Sequence, residues 1–181
     1  MIFEEKTLSS ERIYTGKVLN LRKDRVNARS GESWREIVEH KGGSCILPID
    51  ANGDAILVRQ YRKAAEQVLL EAPAGKREGK ESGLDVAIRE LREETGYRAS
   101  RMIHLGDIYT TPGYSEECLS LYLAMDLEPG QTDFDENEAI DIVRLPWDQL
   151  IEMARQGEIK DGKTLAALFL AEGYCKGKAE E

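Results

Sequence analysis

Within the stretch Arg89-Glu90-Leu91-Arg92-Glu93-Glu94-Thr95-Gly96, acidic side chains recur at a spacing that could do chemistry. On a helix Glu90 and Glu94 lie one above the other, and Glu93 sits beside them. Ionised carboxylates held that close repel by roughly a few tenths of a kcal/mol per pair. A hard divalent cation reverses the sign of that interaction. An all-oxygen ligand set is what Mg²⁺ takes, with Mn²⁺ as an alternative occupant. Ions so held neutralise charge on a bound anion and lower the pKa of a bound water. The bland reading of a Glu-rich helix is a solvated, salt-bridged face. Against it stands a fixed frame: Gly75 before the acids, Glu81 between, Arg89 and Gly96 bracketing them. With this composition, chance produces such a frame in roughly one sequence in ten thousand or fewer.

These acids need a platform. Leu84 to Thr95 carries apolar residues at 84, 87, 88 and 91, which predicts a helix, and Gly96 stands where a left-handed C-terminal cap belongs. Leu84, Ile88 and Leu91 are expected to form its buried face, leaving the acids to project from another. Upstream, Cys45–Ile49 and Ala55–Val58 predict two strands joined by the Asp50–Asp54 turn. A further strand, Val68–Glu71, is broken by Ala72-Pro73-Ala74-Gly75. Downstream, strands are expected over Ile103–Tyr109, Leu119–Met125 and Ile140–Leu145, and helices over Trp147–Gln156 and Thr164–Tyr174. Helices and strands intermixed around one sheet mean α/β or α+β, in one main domain over residues 41–181. Residues 1–40 read as a β meander: Arg12–Tyr14, Val18–Leu21 and Trp34–Val38, with a glycine turn and a second turn at Ser30-Gly31-Glu32. Too small to stand alone, it must pack on the main domain or on a second subunit.

Composition narrows the classes. The 181 residues carry a net charge of −9, which argues against nucleic-acid binding, because phosphate-backbone affinity needs clustered Lys and Arg. Charged residues make up 33% and hydrophobic residues 41% of the chain, a balance suited to a soluble protein with a core. An acidic protein still acts on anions when metal ions stand between its carboxylates and the substrate. Cys45, Cys118 and Cys175 are odd in number, far apart and in no CxxC pair, so reduced thiols are expected rather than structural zinc or disulfides. The opening residues show no basic segment followed by an apolar one, and no apolar run nears the roughly 20 residues of a membrane-spanning helix. A cytoplasmic location with no membrane partner is the expectation. The polar tail Lys176–Glu181 is expected to fray.

The frame around the acids resembles the signature of the Nudix hydrolases. That signature runs glycine, five residues, glutamate, seven residues, then Arg-Glu-aliphatic-any-Glu-Glu-any-Gly-aliphatic, and Gly75, Glu81, Arg89, Glu90, Glu93, Glu94 and Gly96 meet its charged and glycine positions. Tyr97 departs from the closing aliphatic, which should affect packing rather than chemistry. Three further features are similar to the ADP-ribose pyrophosphatase branch. Gln60-Tyr61-Arg62 precedes Glu71–Gly75; Pro112 lies sixteen residues past Gly96; and Asp135-Glu136-Asn137-Glu138 precedes the Ile140 strand. The resemblance implies a Nudix-type α/β/α sandwich around a mixed sheet, with a small N-terminal antiparallel β subdomain. It also implies Mg²⁺-dependent hydrolysis of ADP-ribose to AMP and ribose 5-phosphate. A hydrolase of another nucleoside-diphosphate sugar, such as GDP-mannose, keeps the chemistry and changes the base. An inactive ADP-ribose-binding sensor keeps the pocket and loses the chemistry.

Carried over residue by residue, the resemblance implies that Glu90, Glu94 and Glu138 ligate Mg²⁺ with the Ala74 backbone carbonyl. Glu93 would be a further ligand or hold a metal-bound water. Glu136 is the implied base for the attacking water, and Glu138 is its rival. Arg89 is expected to anchor the acids through charge-assisted pairs. Arg62 and Arg35 have the planar fork that grips phosphate oxygens, although Arg35 also reads as an exposed strand residue. Glu71 and Glu117 are implied acceptors for ribose hydroxyls, with Pro112 and Gly113 in the substrate-binding loop. Trp34 or Tyr14 would stack on the purine, against the plainer reading of strand packing. A homodimer is implied too, in which residues 1–40 are exchanged or packed across subunits and Arg35 serves the neighbour's site.

Overall fold

The computed structural model describes residues 2–134 and 139–175. They fall into two units: Met1–Gly42 with Tyr109–Cys118, and Gly43–Ile108 with Leu119–Glu181.

The first unit is built on a three-stranded antiparallel sheet, β1 (Lys6–Thr15), β2 (Asn20–Ala28) and β3 (Gly31–Glu39), in that order. β2 outruns its expected length, and its residues alternate in burial: Asp24 and Val26 are covered while Arg25 is exposed. Gly31, at φ 119°, supplies the backbone that the β2–β3 turn needs. The segment 109–118 is stitched to β3, with Val38 N–H donating to the Tyr114 carbonyl (2.7 Å) and Glu116 N–H to the Val38 carbonyl (2.9 Å). A division at residue 40 therefore leaves out part of this unit, since the edge of β3 takes its partners from far along the chain.

The second unit contains β4 (Gly43–Pro48), β5 (Asp54–Arg62), β6 (Gln67–Glu71), β7 (Ala74–Lys76), α1 (Gly83–Thr95), β8 (Tyr97–Tyr109), β9 (Cys118–Pro129), β10 (Ile140–Pro146), α2 (Trp147–Arg155) and α3 (Gly162–Cys175). A mixed sheet runs β7-β4-β9-β8, with β4 parallel to β9 and antiparallel to β7; an antiparallel sheet runs β10-β5-β6. β4 is buried along its whole length, as a strand covered on both faces must be. Its side chains divide with period two. Cys45 and Leu47 join Leu150 of α2 and Ala167, Leu168 and Ala171 of α3, whereas Ile46 joins Ala87 and Leu91 of α1. On β9, Leu121 and Leu123 separate from Tyr122 and Ala124 in the same way. Helices thus enclose the mixed sheet from both faces, the expected α/β/α arrangement.

Tyr97 packs against the α1-side cluster, and its hydroxyl accepts a hydrogen bond from Arg144 Nη2 at 2.7 Å. The ring fills an aliphatic slot while its polar tip keeps a partner. Among the described residues, no helix is long and apolar enough to cross a membrane. The tail Lys176–Glu181 lies outside the described residues.

Candidate active site

α1 is delimited by its own sequence. The Ser82 hydroxyl accepts from Asp85 N–H (3.2 Å), and the Asp85 carboxylate accepts from Ser82 N–H (3.0 Å), a reciprocal capping box. Gly96 closes the helix at φ 75° and ψ −5°, its N–H donating to the Arg92 carbonyl (2.8 Å).

The buried face of α1 differs from the expected one. Ala87 and Leu91 are buried as expected, but Leu84 and Ile88 are 41% and 51% exposed, and Val86 and Glu94 (4%) take their place. The acids therefore share the core-facing side instead of projecting away from it. Glu94 tolerates burial because Ala74 N–H donates to its Oε2 at 3.1 Å, a charge-assisted bond that offsets desolvation. Gly75 makes room for the neighbouring acid: a Cβ there would stand 1.6 Å from Glu90 Oε1.

Arg89 uses all five N–H donors of its guanidinium. Nε reaches Glu81 (2.9 Å), Nη1 reaches Glu90 (2.6 Å) and Glu93 (3.0 Å), and Nη2 reaches the Lys76 carbonyl (3.0 Å) and Glu81 (3.1 Å). The Glu81 hydrogen bond above all, outweighing partial burial, holds Arg89 above the ordinary guanidinium range. Glu81 in turn is held below the ordinary carboxylate range, by Arg89 first and then by Glu78 N–H. Glu81 had a place in the frame and no role; the structure makes it the clamp on Arg89. Glu93 also accepts from Arg92 (3.0 Å), and its backbone carbonyl receives Asp133 N–H (3.0 Å).

Around one guanidinium, then, lie three carboxylates, with Glu94 farther along the same helix. Among the described residues no three acidic, histidine or cysteine side chains are gathered closely enough to enclose an ion; Arg89 and the Ala74 amide hold these oxygens instead. The donors nonetheless fit a hard divalent cation: they are oxygens only, they carry surplus negative charge, and the bare face of Gly75 cradles the Glu90 carboxylate. Glu136 and Glu138 lie outside the described residues.

A second constellation lies at the other end of the loop before β7. Glu71 is 1% exposed and accepts from Arg62 Nε (2.8 Å), Arg62 Nη2 (2.7 Å) and Lys163 Nζ (2.5 Å). Lys163 also donates to Asp161 Oδ1 (2.9 Å). Burial pushes the Glu71 carboxyl up, but the two cations outweigh it and leave the group below its ordinary range. Lys163 is likewise raised by its two acids despite burial. The expected role of Glu71 as a ribose acceptor does not fit, because the carboxylate is buried and both oxygens are taken. Arg62 directs its fork at Glu71 rather than at an incoming phosphate. Sequence reasoning passed over Asp161 and Lys163, although Asp-Gly-Lys-Thr before an apolar helix carries the pattern of an N-cap.

The remaining expected residues belong to the first unit. Arg35 pairs with Glu5 through Nε (2.8 Å). Glu117 accepts from Thr110 Oγ1 (2.7 Å) and lies 3.2 Å from His40 Nδ1. Pro112 and Gly113 are exposed in a turn closed by Tyr114 N–H on the Thr111 carbonyl (3.1 Å). Lys23 Nζ stands 4.9 Å from the Trp34 ring centre, and Tyr14 is exposed.

A family model described as the NUDIX domain matches residues 39–168. The methanol dehydrogenase activator of Bacillus methanolicus is 38% identical over 170 residues, covering 92% of this chain and 92% of that protein. The ADP-ribose pyrophosphatase of Bacillus subtilis (strain 168) is 36% identical over 168 residues, 91% of each. Among solved structures, a crystal structure of an ADP compounds hydrolase matches with a TM-score of 0.86 at 24% identity, over 100% of this chain and 99% of that one, a likeness of fold.

Proposed function

This chain belongs to the Nudix family, and from that premise we propose that it hydrolyses ADP-ribose to AMP and ribose 5-phosphate. The observation that carries the reading is the acid-rich cluster around Arg89, laid against the bare backbone of Gly75. In the reaction the oxygen of water bonds to one phosphorus and the bridging P–O bond breaks. The bridging oxygen leaves on the other phosphate, and a proton is shed from the water.

Hydrolases of this family work with divalent ions; Mg²⁺ is the one proposed, with Mn²⁺ as a substitute. When bound, the ion supplies charge neutralisation on the diphosphate and acidifies water. Glu90, Glu94 and the Ala74 carbonyl are the residues assigned to hold it, with Glu93 and Glu138. Arg89 keeps Glu90 and Glu93 in one place before any ion arrives, and Ala74 N–H aims Glu94. Glu136 is assigned to take the proton of the attacking water.

A homodimer in the cytoplasm, formed through the first unit, belongs to the same reading. β1 is exposed along its length, with Leu8, Ile13 and Tyr14 open to a partner. Arg35, Pro112, Gly113 and Glu117 are assigned to substrate contact in that assembly.

The test is a panel of ADP-ribose, GDP-mannose and other nucleoside-diphosphate sugars with purified protein and Mg²⁺, products being separated by ion-exchange chromatography. ADP-ribose should turn over fastest, and Glu93→Gln and Glu94→Gln should each slow it by about 100-fold or more. Faster turnover of GDP-mannose would transfer the proposal to that sugar nucleotide. Unchanged turnover in both variants would remove the metal site. Undetectable hydrolysis alongside tight calorimetric binding of ADP-ribose would mark a sensor.

A further inference from the structure

We propose that Asp161 and Thr164, at the start of α3, are positioning residues that set the loop Ala72-Pro73-Ala74 and, through it, the Glu94 carboxylate. The inference rests on the reading of Glu94 as a metal ligand.

Between Glu71 and Gly75 the backbone has only two N–H donors, because Pro73 has none. Each has a single assigned direction. Ala72 N–H donates to Thr164 Oγ1 on α3 at 2.7 Å, and Ala74 N–H donates to Glu94 Oε2 on α1 at 3.1 Å. The Pro73 carbonyl between them accepts from Ile46 N–H of β4 at 2.8 Å. The loop is thus hung from three elements, and the proline ring fixes φ at its centre. A shift at Ala72 therefore reaches Ala74 with little slack to absorb it.

The Thr164 hydroxyl has one proton, and its geometry fixes where that proton goes. Asp161 Oδ2 accepts from Thr164 Oγ1 (2.5 Å) and from Thr164 N–H (3.0 Å), so the hydroxyl oxygen turns its lone pairs to Ala72. Lys163 braces the arrangement by bridging Asp161 Oδ1 and Glu71 Oε2. Thr164 is 0% exposed, so water cannot replace it as the acceptor for Ala72. An α3 cap of this kind needs only Asp161; the additional bond to Ala72 is what joins the cap to the loop that faces α1.

The experiment compares wild type with Thr164→Val, Thr164→Ser and Asp161→Asn. Mn²⁺ binding to each protein is read without substrate by electron paramagnetic resonance of the free ion, and the Mg²⁺ dependence of turnover is split into kcat and KM. Thr164→Val should weaken Mn²⁺ binding by about tenfold or more and raise the half-saturating Mg²⁺ in parallel, as outer partners of metal ligands do. KM for ADP-ribose at saturating metal should stay near the wild-type value, and Thr164→Ser should recover Mn²⁺ affinity. A melting temperature that falls while Mn²⁺ affinity stays at wild type would overturn the inference and leave an ordinary helix cap. Should Thr164→Val fail to fold, Asp161→Asn, which keeps the hydroxyl, decides the same question. Wild-type protein that binds Mn²⁺ yet spares ADP-ribose sinks the proposed substrate while leaving this test intact.

Discussion

Two charged clusters flank the short loop before β7, and their charge balance differs. Around Arg89 stand Glu81, Glu90 and Glu93, three carboxylates against two cations, because Arg92 also donates to Glu93. Around Glu71 stand Arg62 and Lys163, with Asp161 as the second acid, two against two. The balanced cluster is centred on a buried carboxylate and needs nothing from outside. The unbalanced one is partly open and keeps surplus negative charge, which suits the proposed divalent ion. The number of acids does not separate a site from a strut; the local sum of charge does.

The largest expected effect separates the two clusters by stability. Glu71→Gln leaves Lys163 buried beside a neutral amide and should cost about 3 kcal/mol in urea unfolding at neutral pH. Glu93→Gln removes one acid from a surplus and should change stability by less than about 1 kcal/mol. The pH dependence has a definite sign. Because the folded pKa of Glu71 is depressed, its contribution is complete above the ordinary glutamate value of about 4.3 and is lost as pH falls through the lower folded value. The unfolding curves of wild type and Glu71→Gln should therefore converge in acid. Equal losses in the two variants would break the comparison.

Gly75→Ala probes the unbalanced cluster from the backbone side. The added methyl would stand 1.6 Å from Glu90 Oε1, so the carboxylate must swing out of its cradle. The displaced atoms are the end of a flexible side chain, and the melting temperature should hardly move. Turnover should fall by about tenfold or more, because the variant displaces one of the proposed ion ligands. Turnover at the wild-type level with a normal melting temperature would mean that Glu90 works equally well elsewhere.

What the sequence makes legible follows from distance along the chain. α1, its Ser82 start and its Gly96 cap are local patterns, and the helix runs one residue beyond the expected Leu84–Thr95. β4 and β9 announce themselves as short apolar runs. The acids and their glycine frame stand out because the spacing of a helix is fixed. Illegible are the features made by partners far apart: Lys163 reaches Glu71 across 92 positions, and Ala74 reaches Glu94 across 20. The misassigned face of α1 has the same origin. Periodicity counts apolar residues and cannot know that a backbone N–H from β7 makes room for a buried carboxylate.

That face is the subject of the smallest expected effect, and the comparison depends on it. Ile88 is half exposed, so Ile88→Ala should change stability by no more than about 0.5 kcal/mol. Leu91 is 1% exposed, and Leu91→Ala should cost about 3 kcal/mol in the same urea titration. The contrast fixes the rotation of α1 about its own axis. With Leu91 inward, Glu90 and Glu94 flank the core side and meet Gly75 and Ala74. If Ile88→Ala were the costlier change, the helix would be turned to the orientation that its apolar pattern favours. Glu90, Glu93 and Glu94 would then face solvent, where surplus charge is screened and asks for no ion. The charge sum around Arg89 has chemical meaning only while the small Ile88 effect and the large Leu91 effect hold together.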